Sequence, residues 1–211
     1  MEHGQSADGR TWRGLAFIGG DAALDFTNTV AGITKARDDE ALTDFDAFAG
    51  WAEAAGILDA NEAALARAEA AAAPGPAVIA LTRARSAREA LHRLFGRLAA
   101  GGVPTLADRG AFETEAQEAR RAGRLAVDVG RRSVRWEVKV EAAPLDAVRH
   151  RVALAAEALL VGPELARVRE CESCSWLFVD RSKSGRRRWC SMAACGNRAK
   201  ARRHHQRAAG L

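Results

Sequence analysis

The sequence predicts a mainly α-helical body with one antiparallel β-hairpin, an α+β arrangement, followed by a small cysteine-bearing module at the C-terminus. Three observations predict it. Apolar residues recur at helical spacing, with caps and breakers between the runs, from Asp21 to Arg121 and again from Pro144 to Val161. Between Leu125 and Val140 the period falls from about 3.6 to 2. All four cysteines of the 211 residues, Cys171, Cys174, Cys190 and Cys195, lie in the last 41.

In chain order, Met1 to Gly14 is a polar lead-in from which Trp12 could dock, and Phe17-Ile18-Gly19-Gly20 is an apolar entry. Asp21 caps a helix through Val30, on which Asp25 and Asn28 are neighbours at i, i+3. Gly32 to Leu42 reads as a polar loop. Asp44 caps a helix through Ala55 that buries Phe45, Phe48 and Trp51. Asp59 and Glu62 form a capping box for the next helix, which runs to Ala73, and Pro74-Gly75-Pro76 breaks the chain. Ala77 to Ala100 is a long helix with Val78, Leu81, Leu91, Leu94, Phe95 and Leu98 as its stripe and arginines mostly between. Asp108 to Arg121 is a further helix.

The hairpin follows. Leu125, Val127 and Val129 alternate with polar or small residues; after Gly130-Arg131-Arg132, so do Val134, Trp136, Val138 and Val140, which predicts one buried face. Pro144 starts the last helix of the body, and Gly162-Pro163 ends it. The body is thus expected over 15–162 and the module over 167–209. The connection is too short for a long tether and leaves the module close enough to pack on the body.

The cysteines read C-x2-C, fifteen residues, then C-x4-C. Four thiolates at this spacing suit the tetrahedral demand of one structural Zn2+, and they leave no open position for a catalytic water. Two disulfides need an oxidising compartment, and a redox C-x2-C belongs with a βαβ pattern that is absent here. His204 and His205 lie beyond the expected closure. Trp176 to Val179 could form a first strand, Arg181 to Gly185 a turn, Arg186 to Trp189 a returning strand, and Cys190 onward a helix: a treble-clef-like finger. A segment this small buries little core alone, so a metal is the expected staple, and chelation is expected to melt the finger while the body stays helical.

From Cys171 onward, ten Lys/Arg face two Asp/Glu, a balance of +8; the rest of the chain, with 22 basic and 25 acidic residues, carries −3. Positive charge confined to one module points to a polyanion. The candidate nucleic-acid contacts are Arg181, Lys183, Arg186, Arg187 and Arg188 around the turn, and Arg198, Lys200, Arg202 and Arg203, with Arg207, on the last helix. Trp176, Phe178 and Trp189 suit a small core better than base stacking. Asn197 suits a helix start and a base contact equally.

The residues Cys171-x2-Cys174, Trp176 to Ser182, Arg187-Arg188-Trp189-Cys190-Ser191-Met192 and Cys195-Gly196-Asn197-Arg198 resemble the CGNR-type zinc finger. Phe17 to Val30, with Gly19-Gly20 and Leu24-Asp25-Phe26-x-Asn28-Thr29, resembles the signature of the ABATE domain. The resemblance implies a bacterial, stress-related transcription regulator whose finger contacts DNA.

Function in the body is less marked. Asp25, Asn28 and Thr29 could contact a small-molecule effector, with Asp21, Arg37 and His92 nearby, or could serve only local capping and buried hydrogen bonds. The chain has no P-loop, no G-x-G-x-x-G and no Ser or Cys nucleophile motif, so no enzyme is expected. Asp38 and Asp39 read as a solvated loop and His150 as a surface residue. No segment approaches the ~20 apolar residues that span a bilayer, and the start lacks a signal arrangement. The expectation is a cytoplasmic DNA-binding regulator whose body senses an effector or forms a homodimer. The alternative is a zinc-stabilised module that binds RNA or protein without an operator.

Overall fold

The computed structural model describes residues 10–208. Met1 to Gly9 of the expected lead-in, residue 209 at the expected end of the finger, and the side chain of Arg207 lie outside the described residues. The chain enters through two short paired strands, β1 (Thr11–Trp12) and β2 (Leu15–Ala16). Helix α1 (Ala22–Thr27) follows, with the Asp21 carboxylate accepting the Ala23 N–H at 2.8 Å. It stops before Val30. Val30 opens strand β3 (Val30–Ala31), which pairs with β4 (Asp39–Glu40) inside the stretch read as a loop. The cause lies far along the chain: the buried Arg88 guanidinium grips Glu40 at 2.6 and 2.8 Å and donates to the Thr29 hydroxyl at 3.1 Å.

The helical layer matches its punctuation. Asp44 caps α2 (Phe45–Ala54), and Asp59 with Glu62 makes both arms of the capping box on α3 (Ala60–Ala72). Helix α4 (Pro74–Ala99) starts at Pro74, because proline at the first helical position lacks only an N–H that would be unpaired anyway. The stripe of α4 is shifted from the expected one. Val78 is 65% exposed while Ala77, Ala80 and Ala84 make the contact and Arg88 is buried. Helix α5 (Leu106–Ala122) is capped by Thr105.

Strands β5 (Arg124–Asp128) and β6 (Ser133–Glu137) form the expected hairpin, Leu125 opposite Trp136 and Val127 opposite Val134. Its apolar face is not buried, contrary to expectation: these four side chains are 40–67% exposed. Only Val138 and Val140, beyond the strand and entering a 3-10 turn, reach the core. Alternation marks a face but does not supply the element that covers it. Helix α6 (Ala147–Val161) is central. Its Arg149 is buried against Asp146, Glu115 and Glu118, and the neighbouring His150 is buried too rather than at the surface. The basic neighbourhood that suggested exposure is here neutralised by the acidic side of α5.

A 3-10 turn (Pro163–Arg167) leads to β7 (Val168–Glu170), which pairs antiparallel with β8 (Leu177–Val179). The expected return strand at Arg186 to Trp189 is therefore not formed. Three consecutive arginines offer no apolar face, while Val168 supplies one. After a π-turn (Met192–Gly196) the chain ends in α7 (Asn197–Ala208).

Phe26, Phe48, Trp51 and Phe95 centre the core, with the Phe26 and Trp51 rings 5.2 Å apart. Val168, Leu177 and Val179 belong to this same core. A second cluster joins Ala16, Ile18 and Ala31 of the body to Cys171, Trp176 and Phe178. Among the described residues no helix is long and apolar enough to cross a membrane.

Candidate metal centre and basic surface

Cys171 and Cys174 sit in the tight turn between β7 and β8, which the Cys171 N–H closes by donating to the Trp176 carbonyl at 2.9 Å. A loop then runs from Arg181 to Trp189. Asp180 fixes it: its carboxylate accepts the Ser182 and Arg187 N–H groups at 2.9 and 2.8 Å. Burial opposes its ionisation, but these bonds hold the Asp180 carboxyl below its usual range. Cys190 follows, and Cys195 is set in the π-turn that Ser191 caps. Gly196 closes that turn where a Cβ would meet the Met192 sulfur at 2.7 Å.

The four sulfurs lie within 4.8 Å of one another, and Cys174, Cys190 and Cys195 are 3.6 Å apart pairwise. A tetrahedral site with Zn–S of about 2.3 Å has edges of ~3.8 Å; a disulfide would need ~2.05 Å. All four cysteines are buried and free. The Cys171 sulfur alongside, together with burial, pushes the Cys174 and Cys190 thiols up, while Cys171, with three thiol neighbours donating to it, is held down, as is Cys195; a cation lets all four ionise together. The Ser173 N–H donates to Cys171 Sγ at 3.4 Å and Arg198 Nη2 donates to Cys195 Sγ at 3.0 Å. A dication on four thiolates leaves net negative charge, which the Arg198 guanidinium offsets. The residues fit one zinc ion. His204 and His205 are exposed on α7, outside the cluster.

Of the ten candidate nucleic-acid residues, the nine whose side chains are described, all but Arg207, divide by what holds them. Arg187 is committed to the fold: its guanidinium donates to the Trp189 and Cys190 carbonyls and lies 4.6 Å from the Phe178 ring centroid. Arg198 is on the Cys195 sulfur and Arg202 on the Ser173 hydroxyl at 3.0 Å. Arg181 pairs with Glu164 and Arg188 with Glu172. Lys183, Arg186, Lys200 and Arg203 are exposed, and among the described residues no carboxylate pairs with them. Trp176 and Phe178 are buried, the Trp176 indole donating to the Val30 carbonyl at 3.0 Å. Trp189 is only partly buried. The Asn197 amide donates to the Ala193 carbonyl at 3.1 Å, a helix-start bond.

The three candidate effector residues are engaged within the protein. Asn28 faces β8, donating to the Leu177 carbonyl and accepting the Leu177 N–H, both at 2.9 Å. Asp25 accepts the Gly19 N–H at 2.8 Å, a close approach in which a Cβ on Gly19 would meet Asp25 N at 2.8 Å. The Thr29 hydroxyl donates to the Phe26 carbonyl and accepts from Arg88. Two contacts between body and finger had no sequence signal. Lys35 reaches Glu170 and the Cys171 carbonyl, and His92 Nε2 meets the Ser175 carbonyl at 2.7 Å. Burial, then the Arg37 guanidinium, holds His92 below the ordinary histidine range.

With this geometry in place, residues 167–208 match the model of the CGNR zinc finger, and residues 20–163 match that of ABATE, described as "putative stress-induced transcription regulator". The chain belongs to the ABATE family. The ABATE match takes in α1 through α6 and the CGNR match takes in the whole cysteine cluster, and neither is a family of enzymes. No curated protein matches the chain. In this ABATE protein the stretch from Leu24 to Thr29 is one of the places where body and finger meet, through Asn28 and Leu177.

Proposed function

We propose that this protein is a transcription regulator of the bacterial cytoplasm that binds duplex DNA through its finger. One zinc ion on Cys171, Cys174, Cys190 and Cys195 folds the finger, and the body governs how the finger is presented. One observation carries the reading. Residues 200–206 of α7 are all exposed, and α7 together with the Asp180-pinned loop presents Lys200, Arg203, Lys183 and Arg186 without carboxylate partners among the described residues. A stretch this basic and exposed suits a polyanion that supplies the missing counter-charge. Arg187, Arg198 and Arg202 build the platform, while Arg181 and Arg188 would contact phosphate only by leaving their glutamates.

Fluorescence anisotropy of labelled duplex DNA against salt concentration tests this. Log affinity should fall linearly with log salt. Replacing Lys200, Arg203 and Arg186 by alanine should weaken binding to all sequences and reduce the slope by about one for each phosphate no longer neutralised. The Arg187→Ala change should lower finger stability instead. The second reading, an RNA-binding module, is favoured by one feature: a cleft of about 210 Å³ bordered by Trp189, Arg188, Arg202 and Arg203. There a base could stack on the part-exposed Trp189 ring in place of the Arg188 guanidinium, which lies 4.9 Å from its centroid. Single-stranded competitors that displace the duplex at equal salt would favour it.

A further inference from the structure

The β5–β6 hairpin bears an apolar face that no other element covers. Of the 13 exposed large apolar side chains among the described residues, six gather at this end of the molecule: Leu125, Val127, Val129, Val134, Trp136 and Val161. The strand register places Leu125 beside Trp136 and Val127 beside Val134 on one face. It sends Arg124, Asp128, Arg135 and Glu137 to the other. The face therefore holds no charge to desolvate. A lone two-stranded sheet is marginal in water, and an apolar patch of this extent marks a contact surface.

We propose that this face is a dimer interface, occupied by the hairpin of a second copy of the chain. Three observations select that occupant. A groove of about 700 Å³ lies between β6 and α6, and its charged groups are already held within the chain. Arg151 holds Glu62, Arg120 holds Glu157, and Arg135 holds Glu137. The groove thus offers a polar ligand only groups that already have partners, while Val134, Trp136, Leu154 and Val161 offer an apolar occupant free surface. The six side chains are each 40–83% exposed, an apolar face on the scale of the ~800 Å² per partner that a stable interface buries and wider than a small molecule covers. Finally, a two-fold contact brings the same face to itself. With the hairpins antiparallel, the two tips, each with Arg131 and Arg132, lie at opposite ends, so their like charges do not meet. This assignment stands apart from the DNA-binding reading.

Sedimentation of the full zinc-loaded chain over a range of concentrations tests it. The wild-type chain should dimerise. Val127→Asp and, separately, Val134→Asp should each raise the dissociation constant on the order of a hundredfold or more, since a carboxylate would be buried unpaired. Both side chains are exposed in the monomer, so its circular dichroism and zinc content should not change. A chain that stays monomeric at all concentrations, with or without an apolar small molecule in the groove, overturns the proposal. So does a dimer that is indifferent to both substitutions.

Discussion

Asn28 shows how one side chain can stand in for a peptide unit. Its amide donates to and accepts from the backbone of Leu177, as a neighbouring strand would. Replacing it with alanine leaves a buried N–H and a buried carbonyl unpaired, each costing about 1–3 kcal/mol. The Asn28→Ala chain should therefore lose roughly 2–4 kcal/mol in urea unfolding, with zinc content retained at neutral pH. The sequence marks Asn28 as a polar residue next to Asp25 on a helix. It does not mark the strand 149 positions away that the amide addresses. The arginines teach the same lesson. The charge of the finger was legible by counting, but the division between platform and free cations depends on Glu164, Glu172 and Ser173, whose positions only the fold supplies.

At the scale of elements, most helices were legible because they carry their own punctuation, and Asp21, Asp44 and Asp59 cap as their residue types allow; α5 starts two residues before the expected Asp108, because Thr105 caps it. Of the strands, β5, β6 and β8 were legible and β1 to β4 were not. Leu177 and Val179 pair with β7 rather than with the arginine-rich stretch after them, and the β5–β6 face stays uncovered. The contact of α4 with the metal turn yields a pH prediction. His92 meets Ser175, with Arg37, Glu89 and Glu170 around it, and its folded pKa is lowered, burial being the largest cause. The native state thus favours the neutral ring. The contribution is fully present above the unfolded value of about 6.5 and is lost as pH falls from there toward the folded value. His92→Gln, which keeps a donor for the Ser175 carbonyl, should flatten the stability profile below about pH 6.5 relative to wild type, as read by urea unfolding at each pH with zinc in excess.

At the scale of the whole molecule, body and finger are not thermodynamically separate. Val168, Leu177 and Val179 fill the core centred on Phe26 and Trp51, and their burial is worth roughly 2 kcal/mol each. The expectation that chelation melts only the finger is accordingly replaced: a strong chelator should lower the melting temperature of the body helices as well. Circular dichroism at 222 nm, with hydrogen exchange read in α4, checks this, and an unchanged body transition would refute it. The same shared core bears on how such a chain can change over generations. A finger joined by a loose tether could be transplanted, lengthened or lost as a cassette. Here the five-residue turn Pro163–Arg167 delivers Val168 to the core in register with Val179. One residue inserted between Arg167 and Cys171 would turn Val168 outward and an arginine or glutamate inward. A change of length at this joint therefore costs core contacts on both sides, which ties the two segments to each other.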